Sequence, residues 1–129
     1  MEPTPTDAVS VELDGHLTLA SLGAALHEAE SRLRRDEPVM LIVDCRTMSG
    51  YDGDARTEFV RWNARHRKRI RAVAVITEKT LWHLVVSAMA LASGQKMKAF
   101  NDLADAKRWI AAGTPSVAPS ERPERRQAP

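Results

Sequence analysis

The residues with reactive potential gather in one stretch, Asp44-Cys45-Arg46-Thr47-Met48-Ser49-Gly50-Tyr51-Asp52-Gly53-Asp54, with Glu58 just beyond it. Carboxylates at this spacing are the donor type of a magnesium site, and a thiol near a helix start is the setting that activates a cysteine. Neither chemistry is completed by the rest of the chain. An acid ending a strand and an acid preceding a helix serve backbone amides as caps, so no metal is expected. A cysteine nucleophile needs a base, and His16, His27, His66 and His83 fall at no spacing that brings one to Cys45 or makes a ligand motif. His66 shares a helical stripe with Trp62, and His83 lies in an apolar segment, so both are expected as packed or hydrogen-bonded residues. There is no Walker loop and no GxGxxG. The expectation is a chain that is not an enzyme and holds no cofactor.

A second cluster is basic. Arg61, Arg65 and Lys68 recur at helical spacing, with Arg56 about one turn earlier and Arg67, Arg69 and Arg71 nearby. Such a face can neutralise phosphates or an acidic protein, although a solvated helix face is the simpler reading. Phe59 and Trp62 belong to the core stripe of the same helix, which leaves no aromatic platform for single-strand stacking. Nucleic acid is therefore not expected as the main partner, and any contact with it would be to the backbone alone.

These residues are positioned by an alternating series of elements. Val9, Val11 and Leu13 alternate with polar residues as a half-buried strand does, and Asp14-Gly15 reads as a turn. Leu19, Leu22, Leu26, Ala29 and Leu33 form a helical stripe, with Thr18 or Ser21 as its cap. Pro38 limits that helix, and Pro38 to Asp44 (PVMLIVD) reads as the central strand, ending on its acid. A helix over Asp54 to Lys68 follows, capped by Asp52 or Asp54, then a buried strand over Arg71 to Thr77. Glu78 to Ser93 is apolar nearly all round and so must be covered all round, by the sheet and by a neighbouring element or a second subunit. Lys96 to Phe100 reads as an edge strand guarded by lysines, and a last helix starts at Asn101 or Asp102 and carries Leu103, Ala106, Trp109 and Ile110. The order predicts an α/β domain with a four- to five-stranded, mostly parallel sheet under about four helices, the first strand being free to run antiparallel.

Composition sets the frame. The chain has 129 residues, a formal charge of +2 and one cysteine, which fits a single core without disulfides. Residues 1–7 are expected to be a flexible N-terminus, 8–112 the folded domain, and 113–129 a disordered Pro/Arg-rich tail. MEPTPTDAVS lacks the basic and apolar regions of a signal peptide, and no apolar run is long enough for a membrane helix, so a cytoplasmic protein without a membrane contact is expected.

Three stretches, LIVDCRTMSGYDGDA, RIRAVAVITEKTLWHLVVSAMALASGQKMKAF and NDLADAKRWI, resemble the STAS superfamily of anti-sigma factor antagonists, more closely its SpoIIAA-like branch. The closing Phe100, Asp102, Ala106 and Trp109 follow that branch's pattern. The resemblance implies a bacterial regulatory module that docks a protein partner. In phosphorylatable antagonists, the acid pair matched here by Asp44 and Asp52 is followed by a phosphoacceptor serine; in this chain Gly53 stands there, so the switch is absent at that position. Thr47 and Ser49 are nearby hydroxyls. The expected partner surface is Arg46, Met48, Ser49, Tyr51, Asp52, Gly53, Asp54 and Trp82, with a homodimer contact through Glu78 to Ser93. A carrier of a small apolar or lipid-like ligand is the alternative, as is an anionic partner on Arg61, Arg65 and Lys68.

Overall fold

A computed structural model describes residues 8–112. The expected flexible N-terminus and disordered tail lie outside the described residues. Eight elements alternate: β1 (Ala8–Leu17), α1 (Leu19–Ser31), β2 (Val39–Tyr51), α2 (Gly53–Arg65), β3 (Ile70–Ile76), α3 (Thr80–Ser93), β4 (Met97–Phe100) and α4 (Leu103–Ala112). The four strands lie in the order β1-β2-β3-β4 and every pair is parallel, so the first strand does not run antiparallel.

That order fixes the layers. Each strand is added beside the last in one direction, and right-handed crossovers then deliver every connecting helix to the same face. Val9, Val11, Val39, Leu41, Val43 and Val73 accordingly pack with Leu22, Leu26 and Ala29 of α1, Ala55, Phe59 and Trp62 of α2, and Val86 of α3. The alternate strand residues Met40, Ile42, Ala72, Ala74 and Ile76 turn to the other face, where Ala106 and Ile110 of α4 cover them. Burying each large aliphatic side chain of this kind contributes about 1.5–3 kcal/mol.

Local chemistry sets the element ends. Thr18 and Ser21 act together as a capping box on α1, each side chain accepting the other's backbone N–H. The Asp102 carboxylate accepts the Asp105 N–H at 2.8 Å and starts α4. The Asp14-Gly15 turn is not formed: β1 continues through it to Leu17, absorbing the strain in two register shifts and at Gly15, whose φ of 66° suits a residue without a side chain. Asp44 does not end its strand either. It ends only the pairing of β2 with β3, opposite Ile76, while β2 runs on beside β1 to Tyr51.

Within one chain, the sheet covers only one side of α3. Only Val86 and Ser93 of this helix are fully buried, and Leu81, Leu84 and Leu91 stand in solvent.

Candidate functional site

Beyond Asp44, β1 and β2 leave the sheet as a two-stranded ribbon, and the stretch expected to be a recognition loop is the outer half of β2. Two register shifts, between Asp44 and Thr47 and between Met48 and Gly50, break the strand alternation and sort its residues. Cys45 and Met48 turn inward and are buried, so Met48 has no surface to offer a partner; Arg46 and Ser49 face out. Arg46 is bound to its own strand, since its guanidinium grips the Asp44 carboxylate at 2.7 and 3.0 Å. That guanidinium holds Asp44 below the usual carboxylate range. Thr47 donates its hydroxyl to the Leu13 carbonyl at 3.3 Å.

The ribbon ends at the start of α2. Asp52 occupies the cap position but makes no side-chain cap bond. Its carboxylate instead accepts from His16 Nε2 at 2.7 Å, tying the end of β1 to the helix. The His16 ring lies over Gly50, where a Cβ would meet Nδ1 at 3.2 Å. Gly53 opens α2 with no atom within 4 Å of the place a side chain would take, and Asp54 beside it is exposed.

The third contributor is the start of α3. Trp82 meets the Tyr51 ring edge to face, with centroids 5.4 Å apart. Lys79 donates from Nζ to the Met48 carbonyl at 2.9 Å and sits 4.7 Å from the centre of the Trp82 ring. Tyr51, Asp52, Gly53, Asp54 and Trp82 thus form one rim, while Arg46 and Ser49 lie further back along the ribbon.

Under the rim, between the sheet and the helices, is an open apolar cavity of about 60 Å³. Val43, Cys45 and Val75 belong to the sheet below it. Leu13, Leu17 and Leu22 lie along one side, Ala55 and Phe59 along another, and Tyr51, Trp82 and Met89 contribute from the rim and α3. Burial pushes the Cys45 thiol up to about 12, with Asp44 adding to the effect. The thiolate required of a nucleophile or a metal ligand is thus suppressed.

The basic residues lie elsewhere. Arg61, Arg65 and Lys68 are all exposed, on the far side of α2 and just after it, and Arg65 pairs with Glu58 at 3.2 Å. His66 packs on Trp62 with ring centres 4.7 Å apart and stands 3.4 Å from Glu30, which also accepts the Trp62 indole N–H. His83 Nε2 lies 2.9 Å from the Thr77 carbonyl. Among the described residues, no three His, Cys, Asp or Glu side chains converge as a metal site, and no helix is long and apolar enough to cross a membrane.

Sequence reasoning missed His16 and Lys79. No spacing rule links either to its partner, 36 and 31 residues away. An apolar space between the third helix and the sheet was expected with the carrier alternative, and the cavity lies there, lined by Trp82, Val86 and Met89.

Comparison with known proteins agrees with this architecture. The SpoIIAA-like family matches residues 8–111. A crystal structure described as an uncharacterized protein of the DUF3478 family with a SpoIIAA-like fold, from Shewanella loihica PV-4, superimposes with a TM-score of 0.65. It is 20% identical, and the match covers 78% of this chain and 82% of that one. At that identity the likeness concerns the fold. No curated protein matches the chain.

Proposed function

The chain belongs to the SpoIIAA-like family, and from that premise we propose that it is a non-enzymatic regulatory module that docks a partner protein on the rim where β2, α2 and α3 meet. The observation that carries this reading is the convergence of Asp52, held by His16, with the Tyr51–Trp82 pair. Aromatic anchors beside a fixed carboxylate are the composition of an interface hot spot. The rim contains no activated nucleophile, and its one nearby thiol is buried and protonated. Gly53 gives the site no hydroxyl to phosphorylate at the start of α2, so the module works without that switch. The apolar outer face of α3 adds a second contact surface, suited to a homodimer.

Affinity capture from host lysate tests the rim. Asp52→Arg should lose the partner and Arg65→Glu should keep it. The opposite pattern transfers recognition to the basic face of α2 and refutes the proposal.

The cavity favours a second reading, a carrier of a small apolar or lipid-like molecule. Its wall is predominantly apolar, with Arg56 and Thr77 as the polar members of its lining, as such a ligand requires. Native mass spectrometry of the purified chain distinguishes the two: a carrier retains a small molecule that Ala55→Leu displaces, and a docking module shows the bare mass.

A further inference from the structure

Among the described residues, Arg56 is the one charged member of the cavity's lining. The residue is exposed, so its aliphatic stem follows the apolar wall while its guanidinium reaches the open mouth. That guanidinium has no hydrogen bond or ion pair among the described residues. Asp52, one turn earlier on α2, is placed to pair with it, but gives its carboxylate to His16 at 2.7 Å. Asp54 and Glu58 stand two residues away on either side and so face elsewhere, and Glu58 pairs with Arg65. Across the mouth, α3 contributes no Asp, Glu, Lys or Arg from Thr80 to Ser93. Deeper in, nothing polar seeks a partner: the Thr77 hydroxyl accepts the Lys79 N–H at 3.2 Å, and the Cys45 thiol is buried and protonated.

We infer that the cavity takes an aliphatic carboxylate, with the hydrocarbon tail between the helices and the sheet and the carboxylate on Arg56. The inference rests on the carrier reading of the cavity and names its ligand. An apolar interior with a single cation at its mouth matches a molecule that is apolar along its length and anionic at one end. A guanidinium donates two parallel N–H bonds to a carboxylate, a geometry that neither an alcohol nor an amine can use. An ammonium head would also meet a like charge.

The volume limits the tail. A cavity of about 60 Å³ holds about four to six water-sized groups at roughly 10–15 Å³ each. A methylene is of similar size, so hexanoate fills the space with its carboxylate left at the mouth. So short a tail removes little apolar surface from water, and the Kd is about 0.1–10 mM.

Titration of the isotope-labelled full chain with sodium hexanoate, 1-hexanol and hexylamine, followed by amide and methyl NMR shifts at neutral pH, tests this. Shifts should centre on Ala55, Val86 and Met89, and hexanoate should bind about fivefold tighter than 1-hexanol, as an exposed ion pair allows. Arg56→Gln, at an exposed position, should bring hexanoate to the level of 1-hexanol and leave 1-hexanol unchanged. Arg56→Glu should transfer the preference to hexylamine. Hexanoate binding no tighter than 1-hexanol in the parent chain overturns the inference and leaves the carrier reading intact, whereas no binding of either overturns both. A preference for hexanoate that survives Arg56→Gln also overturns the inference, because the carboxylate then lies on another group. Shifts confined to Leu81, Leu84 and Leu91 put the hydrocarbon on the outer flank of α3 and overturn it as well.

Discussion

Lys79 is the strap that holds the rim together, and removing it has a calculable effect. Its ammonium donates to the Met48 carbonyl at 2.9 Å and lies 4.7 Å from the Trp82 ring centre, linking the outer half of β2 to the start of α3. A hydrogen bond from a charged donor contributes about 1.5–3 kcal/mol and an exposed cation–π contact about 0.5–1 kcal/mol. Lys79 is exposed, so water replaces much of both in the Lys79→Met variant. The net loss should be about 1 kcal/mol. In a domain of this size that lowers Tm by about 4–8 °C, readable by circular dichroism or calorimetry. A double-mutant cycle with Trp82→Leu isolates the ring contact and should return a coupling of about 0.5–1 kcal/mol. A Tm within about 1 °C of the parent, or a coupling near zero, would show that the strap carries no energy.

Acid should weaken the α1–α2 contact. Burial holds the His66 imidazole below its ordinary value of 6.5, and the Trp62 N–H holds the Glu30 carboxyl below 4.5. Each group binds its proton more weakly when folded. His66 therefore stabilises the fold fully above pH 6.5 and loses that contribution as pH falls through its depressed value; Glu30 does the same from pH 4.5 downward. Tm should decline with acid from pH 6.5, and His66→Gln should flatten the upper part of the decline; a curve that stays level or rises on acidification contradicts this. Cys45 gives a reactivity test. With its pKa pushed up to about 12, it should resist iodoacetamide at neutral pH in the folded chain and react once denaturant is added, so labelling at the rate of a free thiol without denaturant would contradict its burial.

The fold was legible because its signals are local. Alternation in Val9, Val11 and Leu13, the stripe from Leu22 to Leu33 and the apolar run of β3 each report one element's own period. Errors arose where a local signal met a nonlocal competitor. Asp14-Gly15 has turn composition, yet pairing with Thr47 and Met48 across the ribbon keeps it in a strand. Asp52 has cap chemistry, but His16 offers its carboxylate a closer partner than the helix amides do. Met48 and Ser49 sit in one polar-looking stretch, where continued alternation from Leu41, Val43 and Cys45 would turn Ser49 inward, and the extra residue of β2 between Asp44 and Thr47 buries Met48 instead.

The unusual exposure of α3 follows from widths. Four strands at about 4.8 Å spacing put the outer two about 14 Å apart, while three helices packed at about 9 Å put the outer two about 18 Å apart. The helix layer must overhang the sheet. At the β1 edge α1 meets this with charge: Glu28 is exposed, and Arg32 at the helix C-cap reaches the Ser10 carbonyl at 2.7 Å. At the β4 edge α3 has no such residues, and its overhanging flank is the row of leucines. The same geometric excess is thus solvated at one end of the layer and left apolar at the other. The strand order never reverses, so the sheet provides no switch-point crevice for a ligand. What it leaves for recognition is on the helix side: the rim and cavity beneath α2 and α3, and the uncovered flank of α3 itself.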